Sequence, residues 1–162
     1  AYFDRGPIDP EHLVVGGYWS TYWYNGRIYG TEIVRGLDVL TLAPSEYLSE
    51  SEIAAAALAD QGDLFNPQQQ FRVTWPAEPI VARAYLDQLE RSEALSGSLV
   101  ADIGAALDRS SGPLTEDASD TELAIQLEML AGSLDGGDSD TVTDKRLAAL
   151  AETLNGIAAK LR

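Results

Sequence analysis

Apolar and polar positions follow two different rhythms along this chain, and the change falls near residue 43. Before it, the rhythm is that of strands. Tyr18-Trp19-Ser20-Thr21-Tyr22-Trp23-Tyr24 consists of aromatic, β-branched and small polar residues, which suit a pleated, half-buried surface. Asn25-Gly26 follows directly and supplies the positive φ that both central residues of a type I′ turn require. Arg27 to Val34 reads as the return strand, and Arg35-Gly36 as a second reversal. Leu37-Asp38-Val39-Leu40-Thr41-Leu42 then reads as a strand with one buried face. Leu13 to Gly17 is a candidate for one further strand, so the expected element is a three- or four-stranded antiparallel meander.

After Pro44, which has no N–H to give to a ladder, the rhythm becomes helical. Ser49-Glu50-Ser51-Glu52 forms a capping box ahead of an Ala-rich helix to about Asp60. Residues 61–77 read as an irregular connection pinned by Phe65, Phe71 and Trp75. Pro79 stands where the first residue of a helix belongs, and Val81, Tyr85 and Leu89 mark one face of a helix to about Leu95. Leu99, Ile103 and Leu107 mark the next, from Ser98 to Asp108, and Gly112-Pro113 is expected to break the chain. Ser119 is expected to cap a helix with Leu123, Leu127, Leu130 and Leu134 on one face, stopped by Gly136-Gly137. Thr141 caps the last, along which Leu147, Leu150, Leu154, Ile157 and Leu161 recur at intervals of three and four. The expected fold class is therefore α+β: a meander over 1–43, then a bundle of about five helices over 44–162 with no strict internal repeat.

Charge sharpens the boundary. The formal net charge is -15, and it is concentrated in the helical part. So acidic a chain repels phosphate backbones and anionic headgroups, which argues against nucleic acid and membrane surfaces as partners. The longest apolar run, Ile53 to Ala59, is too short to cross a bilayer, so no membrane insertion is expected. The chain has no Cys, which excludes disulfides and thiolate chemistry. It opens on Ala1-Tyr2-Phe3-Asp4 with neither an initiator Met nor a basic-then-apolar leader, as expected of a mature or cleaved product.

The stretch from Gly16 through the Asn25-Gly26 turn to Leu40 resembles the C-terminal blade of the bacterial LVIVD-repeat β-propeller proteins. Its Tyr24-Asn25-Gly26-Arg27-Ile28-Tyr29 hairpin and its Arg35-Gly36-Leu37-Asp38-Val39-Leu40 strand carry that resemblance. It is specific over residues 12–42, weaker over 75–95 and absent beyond. The resemblance implies a secreted or cell-surface location and brings no established active site. A propeller needs several blades around a channel, whereas this chain holds one. A lone blade would leave Tyr18, Trp19, Tyr22, Trp23, Tyr24, Ile28 and Tyr29 partly in water, and each buried side chain of this kind contributes roughly 1.5–3 kcal/mol.

Of these, Tyr18, Trp19, Tyr22, Trp23, Ile28 and Tyr29 are the candidate binding residues, for a protein interface or for a sugar platform. By strict strand alternation Trp19 and Trp23 share one face, and Tyr18, Tyr22 and Tyr24 the other. No catalytic residue, metal site or cofactor is expected. His12 is the only histidine and no nucleophile-elbow motif accompanies it. Glu32 with Arg35 reads as a turn-stabilising ion pair, and nothing in the spacing of Glu32 and Asp38 favours a paired-carboxylate site. Asp135 to Asp140 looks calcium-like, but position 12 of an EF-hand loop counted from Asp135 is Arg146 rather than Glu. The leading expectation is a non-catalytic module that docks on another protein chain, either the missing blades or a second copy. The alternatives are a carbohydrate-binding surface module and a non-catalytic subunit of a larger enzyme.

Overall fold

Asn25 and Gly26 both take the positive φ that a type I′ turn demands, 48° and 76°, and the hairpin around them forms as the sequence dictates. In the computed structural model, which describes residues 3–59, 66, 68, 69, 73–116, 118–134 and 141–162, strand β1 is Tyr18–Tyr24, β2 is Arg27–Glu32 and β3 is Gly36–Leu40. They form an antiparallel sheet of order β1-β2-β3. Gly36, with φ at 91°, makes the second reversal. Leu13 to Gly17 adds no fourth strand; it meets the sheet through one backbone bond, from the Ile33 N–H to the Gly17 carbonyl at 3.1 Å.

Five helices follow among the described residues: α1 (Glu50–Ala56), α2 (Pro79–Arg91), α3 (Gly97–Glu116), α4 (Thr121–Gly132) and α5 (Val142–Lys160). The fold class is α+β. Two compact units make it up, residues 1–74 and 75–162, so α1 belongs with the sheet. The charge step at residue 43 and the break between units are therefore different boundaries.

Local chemistry explains most helix starts. Ser49 and Glu52 form the complete reciprocal capping box of α1, and Pro79 occupies the first turn of α2. Two expectations are corrected. Asp120, not Ser119, caps α4: its carboxylate accepts the Leu123 N–H at 2.9 Å, while the Ser119 hydroxyl donates to the Arg162 carbonyl. Gly112-Pro113 does not break the chain, because α3 runs through both residues to Glu116. Pro113 has no N–H to give to the carbonyl four residues earlier. Packing on either side outweighs that loss: Ser110 is wholly buried with its hydroxyl on the Leu107 carbonyl, and Leu114 packs against the core. The expected Asp135–Asp140 loop, its Gly136-Gly137 stop, and the Phe65 and Phe71 anchors lie outside the described residues.

The core of residues 75–162 is the stripe read from helical periodicity. Leu89, Ile103, Leu107, Leu123, Leu127, Leu150, Leu154, Ile157 and Leu161 are all at 0% exposure. The segment leading into α2 packs so closely on α5 that a Cβ on Gly156 would sit 2.5 Å from the Ala77 Cβ. Two cations fix the end of α5: Lys160 pairs with Glu78 at 2.7 Å and Arg162 with Glu128 at 2.8 Å.

Candidate functional site

The six candidate residues all lie on the β1–β2 hairpin. Trp19 is 76% exposed and Tyr18 39%. Tyr22, Trp23, Ile28 and Tyr29 are half-buried. Their distribution over the two faces differs from strict alternation. Tyr18 pairs with Glu32 and Ser20 with Thr31, so the register slips at Trp19, which is a β-bulge. Cross-strand partners share a face. The bulge therefore carries Tyr18 to the face of Thr21, Trp23, Ile28 and Leu40, away from Tyr22 and Tyr24.

That shift has a clear consequence. The Tyr18 ring lies over Gly30, so closely that a Cβ there would fall 2.6 Å from the ring. Gly30 is the residue this ring position requires. Beyond it the Tyr18 hydroxyl donates to Asp38 on β3, and Arg5 donates to both oxygens of the same carboxylate at 2.8 and 2.9 Å. The Tyr18 hydroxyl and then the Arg5 guanidinium hold the Asp38 carboxyl below its ordinary range, and the Asp38 carboxylate raises Tyr18 in turn.

Glu32 is the other polar anchor, and it is buried. Its carboxylate accepts the backbone N–H groups of Gly17 at 2.7 Å, Val34 at 2.9 Å and Arg35. These bonds, that from Gly17 first, hold it below the ordinary range for glutamate although burial opposes them. The expected Glu32–Arg35 ion pair takes another form. Glu32 binds the Arg35 backbone, and the guanidinium reaches the Gly6 and Pro7 carbonyls. Glu32 thus closes the β2–β3 turn and ties residue 17 to it, while Arg35 holds the N-terminal segment. A groove of about 660 Å³ lies between that segment and the Tyr18 end of the sheet.

Both carboxylates of the sheet are thus engaged, Glu32 by backbone and Asp38 by Tyr18 and Arg5. His12 is exposed in this groove and its Nδ1 lies 3.2 Å from Asp9. Among the described residues no three His, Asp or Glu side chains gather as a metal site requires, and no helix is long and apolar enough to cross a membrane.

Strand β3 presents what sequence reasoning did not single out. Leu37 is 61% exposed and Val39 50%, whereas Asp38 and Leu40 are half-buried. The exposed side of this strand is its apolar one. The expected alternation, apolar side buried, is reversed here: Asp38 is half-buried where Arg5 and the Tyr18 hydroxyl bind it, and Leu37 and Val39 are exposed. Ile33 and Val34 in the neighbouring turn are also exposed, at 40% and 55%. Comparison of the chain with protein families, with curated proteins and with solved structures yields no match.

Proposed function

We propose that this chain is a non-catalytic docking module whose sheet, residues 18–40, is covered by another protein chain. The observation that carries this reading is the exposure of large apolar side chains on and around a sheet with little apolar core of its own. Trp19, Leu37, Val39, Ile33 and Val34 all stand at 40% exposure or more. Over the described part of residues 1–74 the buried apolar side chains are Ala55 and Ala59 alone. Large apolar side chains exposed in this number on one small sheet point to an interaction site. The partner surface is protein: a net charge of -15 disfavours anionic polymers and headgroups.

In this reading the meander is the terminal blade of a secreted or cell-surface protein of the LVIVD-repeat propeller kind, and the partner chain supplies the surfaces that neighbouring blades would supply. The resemblance over residues 12–42 supports it, as does the three-stranded meander itself. The candidate contact residues are Tyr18, Trp19, Tyr22, Trp23, Ile28 and Tyr29, joined now by Leu37 and Val39.

A photo-crosslinking side chain placed at Trp19, and separately at Leu37, tests this in the native particle. Both positions should yield adducts to another protein chain, in a particle larger than one chain by light scattering. Quenching by water at both positions, in a monomeric particle, would contradict it. Retention of the chain on a glycan array would favour the sugar-platform alternative instead.

A further inference from the structure

The two edges of the sheet are not equivalent. Strands β1 and β3 flank β2, so each presents an outer row of backbone N–H and C=O groups. Natural sheets protect such rows with bulges, prolines, lysines or inward-pointing charges, because an unprotected row templates another strand. Strand β1 carries a bulge at Trp19, which twists the strand and interrupts its regular spacing. Strand β3 has none of these devices in effective form. It pairs with β2 without a register shift from Gly36 to Leu40, and it contains neither Pro nor Lys. Its one charge, Asp38, is neutralised by Arg5 and the Tyr18 hydroxyl. Its exposed side chains, Leu37 and Val39, offer apolar contact on one face beside that row. Among the described residues, no backbone hydrogen bond outside the sheet engages Gly36 to Leu40.

We infer that β3 is a strand-acceptor edge, and that the partner chain docks by adding an extended segment alongside Gly36–Leu40. This rests on the docking reading above and specifies its mode. A row of alternating donors and acceptors is satisfied by another extended backbone, which names the occupant's conformation. Main-chain bonds then supply affinity, and alternate side chains supply specificity. The side chains of the incoming strand that meet Leu37 and Val39 are apolar and lie two residues apart, as strand geometry sets. The occupant belongs to a different protein rather than a second copy. Two copies would bring -15 against -15. A neutral or basic segment meets no such obstacle.

A short peptide alternating Val and Thr, with Lys at each end, is the probe, titrated into the full chain by fluorescence anisotropy. Its twin carries N-methyl groups at alternate backbone nitrogens, which removes donors and leaves every side chain in place. The unmodified peptide should bind, its twin should bind roughly tenfold more weakly or worse, and added amide protection should fall on Gly36 to Leu40. Equal binding of the two peptides would overturn the edge inference while leaving the docking reading intact, since side chains alone would then suffice. Protection gained along Tyr18 to Tyr24 instead would also overturn it. Binding of neither peptide would overturn it as well; crosslinking from Trp19 and Leu37 then decides the docking reading separately.

Discussion

The two units of this chain are stabilised in opposite ways. Residues 75–162 bury a continuous set of leucines and isoleucines at 0% exposure, drawn from α2, α3, α4 and α5. In the described part of residues 1–74, the buried side chains are Glu32, Ala55 and Ala59. The helical unit is held by apolar burial, at roughly 1.5–3 kcal/mol for each large side chain. The sheet is held by turn geometry, backbone pairing and two carboxylates. A three-stranded sheet that fully buries no large apolar side chain is marginal by itself. The contrast teaches where each unit's apolar residues go: those of the helical unit meet one another in a core, and several of those on the sheet are exposed.

The largest expected effect is in the helical unit. Leu154 is wholly buried on α5, so Leu154→Asp places a charge with no partner in an apolar site. It should cost at least about 4 kcal/mol, read as a fall in the urea midpoint of the helical signal. An unchanged midpoint would mean that α5 is not packed through this face. Next is Gly156→Leu, which drives a side chain into Ala77 and should cost about 1–3 kcal/mol in the same assay.

The sheet's counterpart is Gly30→Ala. The added methyl meets the Tyr18 ring, and the predicted cost is again about 1–3 kcal/mol. Displacement of Tyr18 should also free its hydroxyl from Asp38, seen as a fall of the tyrosine titration back toward its ordinary value near 10. A Tyr18 titration unchanged from the parent's would contradict the ring's position over Gly30.

The smallest effect separates the units by pH. Glu32 and Asp38 are held below their ordinary values of 4.5 and 3.8. In that window the unfolded chain binds more protons, so their contribution to stability is complete above those values and is lost as pH falls through the lowered ones. Tyr18 acts at the other end: it is raised above 10, so its contribution is full below 10 and is lost as pH rises through the raised value. The protection factors of the Gly17, Val34 and Arg35 amides should therefore fall on acidification before those of α5. In Glu32→Gln, which cannot present a carboxylate to these three donors, they should already be low at neutral pH.

Much of this architecture was legible in the residues. Asn25-Gly26 named the hairpin, Ser49 with Glu52 named a helix start, and the stripe from Leu147 to Leu161 named a buried face. Each of these is a local rule acting alone. The departures come where distant residues intervene. Pro113 is carried inside α3 because Ser110 before it is wholly buried and Leu114 after it packs against the core. Asp120 takes the cap because the Ser119 hydroxyl is drawn to the Arg162 carbonyl. The bulge at Trp19 overturns strict alternation, and no propensity signals it. It becomes intelligible only through Gly30 and Asp38, which receive the Tyr18 ring and hydroxyl. Arg5 is invisible to any local pattern, since it acts across 33 residues.

Amide hydrogen exchange of the full chain, alone and then in its native particle, tests most directly whether the sheet of residues 18–40 awaits another protein. Alone, the amides of β1, β2 and β3 should exchange much faster than those of Leu150 to Ile157 in α5. In the native particle the strand amides, those of β3 foremost, should slow while α5 remains as it was. Strand amides already as protected as α5 in the isolated monomer would contradict this, because the chain would then be covering its own sheet.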